Sequence, residues 1–315
     1  MGKINRKFIG LSQYRGPYCF ELAGKHFHFV LDDGREFSFF FPDGETVQWA
    51  EKGKPYVWDS YTCLKGDDTT YFVMFRPESG EGKLTYNWII DTAQRLVTLD
   101  VMEERYEPGF PRLVRNTPYF GAIKIPGREL PEKRHHLSAR MVGEHIFWHY
   151  NPGSTIQHIY HAPNCIRAST GDGLTPEETM RKRMADLLAS PDPAVVAEAE
   201  KVIEGYRVRQ TYYPFYEEPC YHVWINDHLN LLCFAEEIMS RRSPGHDVGG
   251  GGILLLQDIE RLIDVGVCFN VGEYYMVTAY GDPNEAYDPV DDMVSPYNWD
   301  ELTCMPTIRE EQPKE

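Results

Sequence analysis

The sequence predicts an all-β protein built from two tandem antiparallel β-barrels, the second of which carries a helical hairpin as an insertion. Three observations lead to this prediction. Short runs of alternating apolar residues are separated by Gly, Pro, Asn and Asp, which is typical of antiparallel barrels. The chain also contains an internal repeat. Strong helix signals, finally, occur in one segment only.

The internal repeat is clearest at the start of each copy. Residues 24–31 (GKHFHFVL) and 143–150 (GEHIFWHY) both open with Gly-x-His and an apolar residue, and they lie 119 residues apart. Residues 71–75 (YFVMF) resemble residues 230–234 (NLLCF) at a separation of 159 residues. Because the separation grows by 40 residues between these two matches, the second copy must contain an insertion in that window.

The helix signals fall inside this window. Thr175 is an expected N-cap, Pro176 suits the first helical position, and Glu178 completes a capping box. We therefore expect a helix that runs to about Ser190, followed by a second one that starts at Asp192 and ends near Gly205. The insert, residues 175–205, is a candidate lid over the mouth of the second barrel.

These patterns divide the chain into four parts. Residues 1–106 form a first barrel, which we expect to be structural, and residues 138–280 form the second barrel. Residues 107–137 form a linker, since a central strand does not tolerate so many prolines. Residues 281–315 form an acidic tail. The prolines of the predicted linker are Pro108, Pro111, Pro118, Pro126 and Pro131.

Composition narrows the classes of partner. The formal net charge of −16 disfavours nucleic acid and anionic membranes as partners. The seven cysteines form no C-x-x-C pair, and no run of 18 apolar residues occurs, so we expect a cytoplasmic protein without a disulfide framework. His145, His149 and His161 fall on an outward face, so we expect no metal site and no cofactor.

The first hairpin of each copy suggests where function lies. Because strand side chains alternate between two faces, the inward face of copy one is wholly apolar. In copy two the same face carries Tyr150, His158 and Tyr160. A buried polar group without a partner costs roughly 1–3 kcal/mol. Either a ligand satisfies these three side chains, or they form a core network of their own.

Glu236 extends this set. It shares a strand face with Leu232 and Phe234, and a carboxylate on an otherwise apolar face is typical of a general acid or base. Two alternatives remain open at this point. Glu236 could lie at the rim of the barrel, or the neighbouring Glu237 could take the inward position.

The second copy resembles the C-terminal domain of the molybdenum cofactor biosynthesis protein F (MoaF) family, and the first copy resembles its N-terminal domain. The residues that carry the resemblance are His149-Tyr-Asn-Pro, Gln157-His-Ile-Tyr160, Pro163-Asn164, Cys220-Tyr-His, Asn226-Asp227, Glu236 and 254–262. The resemblance implies tandem lipocalin-like (calycin-type) barrels. The family is similar in turn to the phenolic acid decarboxylases, which are cofactor-free barrels.

The decarboxylase resemblance also implies roles for single residues. Those enzymes use two tyrosines on the first strand, an arginine and a glutamate. Tyr150 matches one tyrosine and Trp148 stands in place of the other. Glu236 matches the glutamate, and Arg167 is a candidate for the arginine. The corresponding tyrosine positions of copy one hold Phe29 and Leu31, which implies that copy one is inactive.

Two functions from different classes follow. The first is a cofactor-independent acid–base enzyme, a lyase or an isomerase, acting on a small aromatic, phenolic molecule. Its catalytic residues are predicted to be Glu236, His158, Tyr150 and Tyr160, and its substrate-binding residues Arg167, Trp148, Phe234 and Tyr221. The second is a lipocalin-like carrier whose polar residues only orient the ligand. The oligomeric state is left open, with a homodimer as one option.

Overall fold

The computed structural model describes residues 18–283, apart from residues 82, 108–109, 152–153, 171–175, 210–215, 238–250 and 271–272. Its strands form two tandem antiparallel barrels, which confirms the predicted fold class. A one-turn 3-10 helix, Glu78–Gly80, lies within the first barrel. The longer helices of the described residues lie in one insertion of the second barrel.

Barrel one is closed by eight strands in chain order, since β1 pairs with both β2 and β8. Aromatic side chains fill its interior because the inward positions of the strands are almost all Phe, Trp, Tyr or aliphatic. The strands are β1 (Lys25–Leu31), β2 (Glu36–Phe41), β3 (Thr46–Glu51), β4 (Val57–Lys65), β5 (Thr70–Phe75), β6 (Leu84–Asp91), β7 (Leu96–Glu107) and β8 (Phe110–Ile123).

Barrel two is also a ring of eight strands, closed by the pairing of β10 with β17 and of β12 with β13. A short strand, β9 (His136–Leu137), adds to the far end of β13. The ring consists of β10 (His145–Asn151), β11 (Ser154–Ala162), β12 (Cys165–Thr170), β13 (Tyr216–Trp224), β14 (Leu229–Ala235), β15 (Gly252–Asp258), β16 (Ile263–Asn270) and β17 (Glu273–Pro283).

The two barrels share strand order and pairing register, so the repeat seen in the sequence is structural. Phe29 of β1 faces Phe37 and Ile123, and Trp148 of β10 faces Ile156 and Gly281 in the same way. The same holds elsewhere in the ladders. Further matched pairs are Cys63–Val73 with His222–Leu232, Tyr71–Ile90 with Asn230–Gln257, and Ile90–Val97 with Gln257–Asp264.

The predicted insertion lies between β12 and β13, where barrel one has only the short connection from β3 to β4. It contains α1 (Pro176–Arg183), α2 (Ala185–Leu188) and α3 (Pro193–Arg209). The first predicted helix is therefore broken in two, and the second runs past Gly205. Arg181 joins α1 to α3 through two bonds to Glu200, of 3.0 and 3.1 Å. Thr175 lies outside the described residues.

The predicted linker, 107–137, differs from the structure because it contains β8. Barrel one therefore ends at Ile123 rather than at residue 106. Proline fits here because β1 pairs only with residues 121–123 of β8, and Pro118 lies on the stretch of β8 that pairs with β7 alone. A missing N–H is tolerated on such a strand edge. The predicted tail also begins later, since β17 extends to Pro283, and residues 284–315 lie outside the described part.

The barrels are separately closed, but they pack against each other through one large apolar face. The outer sides of β5 to β8 bury residues such as Phe72 and Met102 against Leu231, Leu254 and Val267 of barrel two. β14 and β15 are therefore covered on both faces, inside by their own barrel and outside by barrel one. This explains why they read as continuous apolar runs rather than as alternating ones.

One carboxylate is buried in this interface. Asp100 of β7 accepts hydrogen bonds from the Tyr221 hydroxyl of β13 and from Asn116 Nδ2 at 3.3 Å. Burial raises the pKa of Asp100 to about 7, although the bonds from Tyr221 and Asn116 oppose the shift. Asp100 and Tyr221 thus form a polar link between the barrels in apolar surroundings.

We expect the protein to lose stability as the pH rises from about 4 to about 7. The folded chain keeps a proton on Asp100 up to about pH 7, whereas an unfolded Asp releases it near 3.8. Stability therefore falls through that window, by at most about 1.4 kcal/mol per pH unit for each such group. Asp100→Asn should make the dependence shallower. Urea unfolding at a series of pH values measures this, and an unchanged slope would contradict the assignment.

Candidate functional site

The inner face of barrel two brings together most of the side chains that the sequence singles out. Tyr160 and Trp148 are fully buried in the inner cluster of this barrel, together with Phe234, and Tyr150 packs against the same cluster. His158 is 2% exposed, and its ring contacts those of Tyr160 and Phe234 at centroid distances of 6.1 and 6.0 Å. The expected inward face of the first hairpin is therefore present.

A chain of hydrogen bonds crosses this interior. Trp148 Nε1 and Gln257 Nε2 both donate to the Tyr160 hydroxyl oxygen, at 3.1 and 2.8 Å. Asn230 Nδ2 lies 3.2 Å from Gln257 Oε1 and 3.2 Å from His222 Nδ1. Four different strands besides β11 contribute to this network, so the ladder register of the whole barrel sets its geometry.

Asp264 forms a second polar contact in the same interior. Its Oδ2 accepts a bond of 3.2 Å from the Tyr150 hydroxyl, and its Oδ1 accepts one of 2.8 Å from the Ala279 N–H. Burial raises the pKa of Asp264 to about 7, against the opposing effect of these two donors. Burial, and then the nearby Asp264 charge, also raises the pKa of Tyr150. Asp264 is thus poised to take up or release a proton near neutral pH.

Several groups in the interior have hydrogen-bonding capacity that the described protein residues leave unused, among them Asn230 Oδ1. His158 Nδ1 is buried and has no hydrogen-bond partner among them. The Tyr160 oxygen accepts two bonds, while its own proton meets no acceptor in the described part of the chain. Burial lowers the pKa of His158 to about 3, with a smaller contribution from His222, so this ring is neutral at physiological pH.

Barrel one supplies an internal reference for these positions. The shared ladder register places an apolar or weakly polar side chain at each point where barrel two has a polar one. The equivalent pairs, with barrel one first, are Leu31 and Tyr150, Phe39 and His158, Phe41 and Tyr160, Cys63 and His222, Tyr71 and Asn230, Ile90 and Gln257, and Val97 and Asp264. The fold therefore forms without this polar set, which points to a functional reason for it.

The first barrel is also the part of the chain that a known family recognises. Residues 8–102 match the MoaF N-terminal domain. Most of barrel one is therefore similar to the MoaF N-terminal domain. The predicted family resemblance is thus confirmed over this segment. The match covers the copy with the apolar interior.

The comparisons with curated proteins and with solved structures give no information about function. No curated protein matches the chain significantly. Among solved structures, a "putative beta-lactamase from Burkholderia vietnamiensis" is 18% identical over 35% of this chain and 96% of that chain, with a TM-score of 0.26. Such a low structural similarity carries no argument about function.

Glu236 lies at the rim of barrel two, one residue beyond the end of β14. Strand β14 ends at Ala235, and Glu236 follows it at the barrel rim, half-buried, with its N–H bonded to the Gly251 carbonyl. The buried carboxylate at this rim is that of Glu237, which is 0% exposed. At about 3.3 Å per residue, Glu236 lies roughly 20 Å along the strand from Asn230. It is two residues from Phe234, whose ring contacts that of His158 at a centroid distance of 6.0 Å.

Two predicted substrate-binding residues, Arg167 and Tyr221, face away from the interior. Ile166 of β12 belongs to the inner cluster, so the next residue, Arg167, points outward, where its Nε bonds Glu217 at 2.6 Å. Tyr221 points into the interface with barrel one, where it bonds Asp100. Of the predicted binding residues, Trp148 and Phe234 do line the interior.

Sequence reasoning missed the inner residues of the later strands. The missed side chains are His222, Asn230, Gln257, Asp264 and Glu218, the last of which is fully buried beside Cys220 on the inner side of β13. The internal repeat of the sequence carried a signal for these residues. Extending the comparison of the two copies past the first hairpin would have aligned Gln257 with Ile90 and Asp264 with Val97, two polar-for-apolar exchanges of the same kind as His158 for Phe39.

The described residues contain no group of three or more His, Cys, Asp and Glu arranged to hold a metal ion. In the same part of the chain, no helix has the length and apolar character needed to cross a membrane.

Proposed function

We propose that barrel two binds a small aromatic molecule in its interior and catalyses proton transfer on it without a cofactor. The observation that carries this proposal is the pair of unused hydrogen-bonding groups, His158 Nδ1 and the Tyr160 O–H, inside a barrel whose sister copy is apolar at both positions. Buried polar groups in native proteins almost always find a partner. A ligand with a hydrogen-bonding group supplies one here.

The charges of the interior favour an uncharged ligand. Arg167 is the only Lys or Arg in the eight strands β10 to β17, and it points outward to Glu217. Asp264 and Glu218 both lie on the inner side, so the strands offer carboxylates and no cation. An anionic phenolic acid would need a cation to offset its desolvation. A neutral phenol, with an aromatic ring and one hydroxyl, fits Phe234, Trp148 and His158 better.

Asp264 is the acid–base group in this proposal. A pKa of about 7, raised by burial, allows Asp264 to exchange protons near neutral pH. Tyr150, bonded to its Oδ2, either relays that proton or holds the carboxylate in place. His158 and His222 have pKa values lowered to about 3 by burial, so they orient the ligand as neutral rings. This chemistry belongs to a lyase or an isomerase that needs no cofactor.

A carrier is the second candidate, and one observation favours it. The network of Trp148, Tyr160, Gln257, Asn230 and His222 is made of neutral groups whose geometry is fixed by mutual bonds. Such a network selects a ligand by shape and hydrogen bonding and requires no proton transfer. Turnover distinguishes the two candidates, since a carrier binds the ligand and returns it unchanged.

The His158→Phe variant should bind a neutral phenol such as 4-ethylphenol about 5- to 150-fold more weakly than the parent protein. Phe is the residue at the equivalent position of barrel one, Phe39, so the fold accepts it. The loss corresponds to one hydrogen bond to a buried group, roughly 1–3 kcal/mol. Titration of tryptophan fluorescence or calorimetry measures the affinity, because Trp148 lies in the same interior.

The matched control for this variant is Tyr71→Phe, which removes a buried hydroxyl from barrel one. It should leave the affinity for the phenol unchanged. Equal weakening by both variants would show that binding occurs elsewhere or depends only on overall stability. Tighter binding of 4-hydroxybenzoate than of 4-ethylphenol would contradict the preference for an uncharged ligand.

A further inference from the structure

The segment before β1 closes one end of barrel one and brings two cysteines together. Leu22 is fully buried in the inner cluster of this barrel, and Cys19, in the same segment, is 7% exposed. The Cys19 N–H donates to the Cys63 carbonyl of β4 at 2.8 Å. The two thiols also interact, since each is the largest influence on the pKa of the other.

This contact places the two residues at the spacing of a disulfide. Residues that exchange backbone hydrogen bonds across an antiparallel ladder have Cα atoms about 5.5 Å apart, and the bond from the Cys19 N–H to the Cys63 carbonyl is of this kind. Disulfides usually span Cα separations of about 4.4 to 6.8 Å. The backbone separation therefore allows the two sulfurs to join by a change of side-chain conformation.

Barrel two has the same end closure without cysteines. Met141 replaces Leu22 in its inner cluster, and the Ser138 N–H donates to the His222 carbonyl at 2.9 Å, as Cys19 does to Cys63. Ser138 and Cys19 are 119 residues apart, and His222 and Cys63 are 159 apart, which are the spacings of the repeat. The closure itself therefore does not require a cysteine at either position.

We propose that Cys19 and Cys63 form a reversible disulfide when the protein meets hydrogen peroxide. The Cys19 sulfur attacks one peroxide oxygen and the O–O bond breaks. Hydroxide leaves and takes up a proton, so that Cys19 becomes a sulfenic acid and the first water forms. The Cys63 sulfur then attacks the Cys19 sulfur and the S–O bond breaks. The second water carries away the Cys63 proton, so one peroxide is reduced and two thiols are oxidised.

The surroundings divide the roles between the two thiols. The interaction with Cys63 lowers the pKa of Cys19 to about 6, although burial opposes the shift, and the backbone N–H of Glu21 and the charge of Lys65 lower it further. The same contact, together with burial, raises the pKa of Cys63. Cys19 is therefore a thiolate at neutral pH and the nucleophile, and Cys63 is the resolving thiol. Lys65 bonds Glu21 at 2.8 Å, and Tyr71 bonds the other Glu21 oxygen at 3.2 Å.

The test uses the full-length protein, treated with a molar excess of hydrogen peroxide and then quenched. Thiol titration under denaturing conditions should fall from seven groups to five. The intact mass should drop by two hydrogen atoms, and non-reducing peptide mapping should find residues 19 and 63 linked. Dithiothreitol should restore seven thiols. The bond should also raise the melting temperature by several degrees, because it restrains the unfolded chain.

Matched variants make the outcome specific. Cys19→Ser copies Ser138 of barrel two, so it should fold, and it should lose the mass change and the thermal shift. Cys63→Ser should also lose the mass change and the thermal shift. Cys220→Ser, in the interior of barrel two, should still form the disulfide between Cys19 and Cys63. A link between other cysteines, an intermolecular dimer, a stable sulfinic acid on Cys19 or full retention of thiols would each overturn the proposal.

Discussion

The Asp264→Asn variant is expected to turn over a phenolic substrate about 100-fold or more slowly than the parent protein, the usual contribution of a general acid or base. Asparagine keeps the size of the side chain and one acceptor oxygen for Tyr150 or the Ala279 N–H. It cannot exchange a proton. Ligand affinity should change little, so the effect should appear in kcat rather than in KM.

Two comparison variants sharpen this experiment. Glu236→Gln changes the carboxylate that the sequence alone favoured, and from its place at the rim it should retain most of the activity. Asp100→Asn changes a buried aspartate with a similarly raised pKa of about 7, also caused by burial, but in the interface rather than in the barrel. If Glu236→Gln abolished turnover while Asp264→Asn did not, the assignment to Asp264 would be wrong.

The Tyr221→Ala variant should destabilise the protein by about 3–5 kcal/mol at pH 8. It removes a fully buried ring from the interface and leaves a cavity. It also leaves the Asp100 carboxylate without its hydroxyl donor, and an uncompensated buried charge is costly. The penalty should shrink at pH 5, where Asp100, with its pKa raised to about 7 by burial, is neutral.

The Tyr221→Phe variant separates the two contributions. It keeps the ring and removes only the hydroxyl, so it should cost about 1.5–3 kcal/mol at pH 8 and less at pH 5. Urea unfolding of the parent and both variants at the two pH values gives the free energy of unfolding of each protein. The differences separate the cost of losing the ring from the cost of losing the hydroxyl. Equal penalties at pH 5 and pH 8 would show that Asp100 does not ionise in the folded protein.

The repeat made the tandem architecture predictable, because the separations of 119 and 159 residues locate the barrels and the insertion without any structure. Tyr150, His158 and Tyr160 were also predictable, since the first hairpin alternates cleanly between faces. Prediction failed in two kinds of place. Proline content hid β8, because tolerance of Pro118 depends on which edge of the strand is paired, and that is a tertiary property.

The second failure concerned strands that are buried on both sides. In β14 and β15 every residue but one is buried, so apolar character does not show which residues face the interior. Asn230 and Gln257 therefore carried no visible signal within their own strands. Glu236 was assigned to the inner face by continuing β14 past Ala235, although the strand ends there. Arg167 was placed by resemblance alone, and its contact with Glu217 could not be foreseen.

The apolar face between the barrels sets a condition on synthesis. The ribosome completes barrel one before it makes β13 to β16, so the side chains of Phe72, Met74 and Ile89 are exposed to water during that interval. A nascent chain that presents such a surface is prone to associate with other chains. Productive folding of this protein therefore depends on how soon the second half of the chain arrives to cover the first.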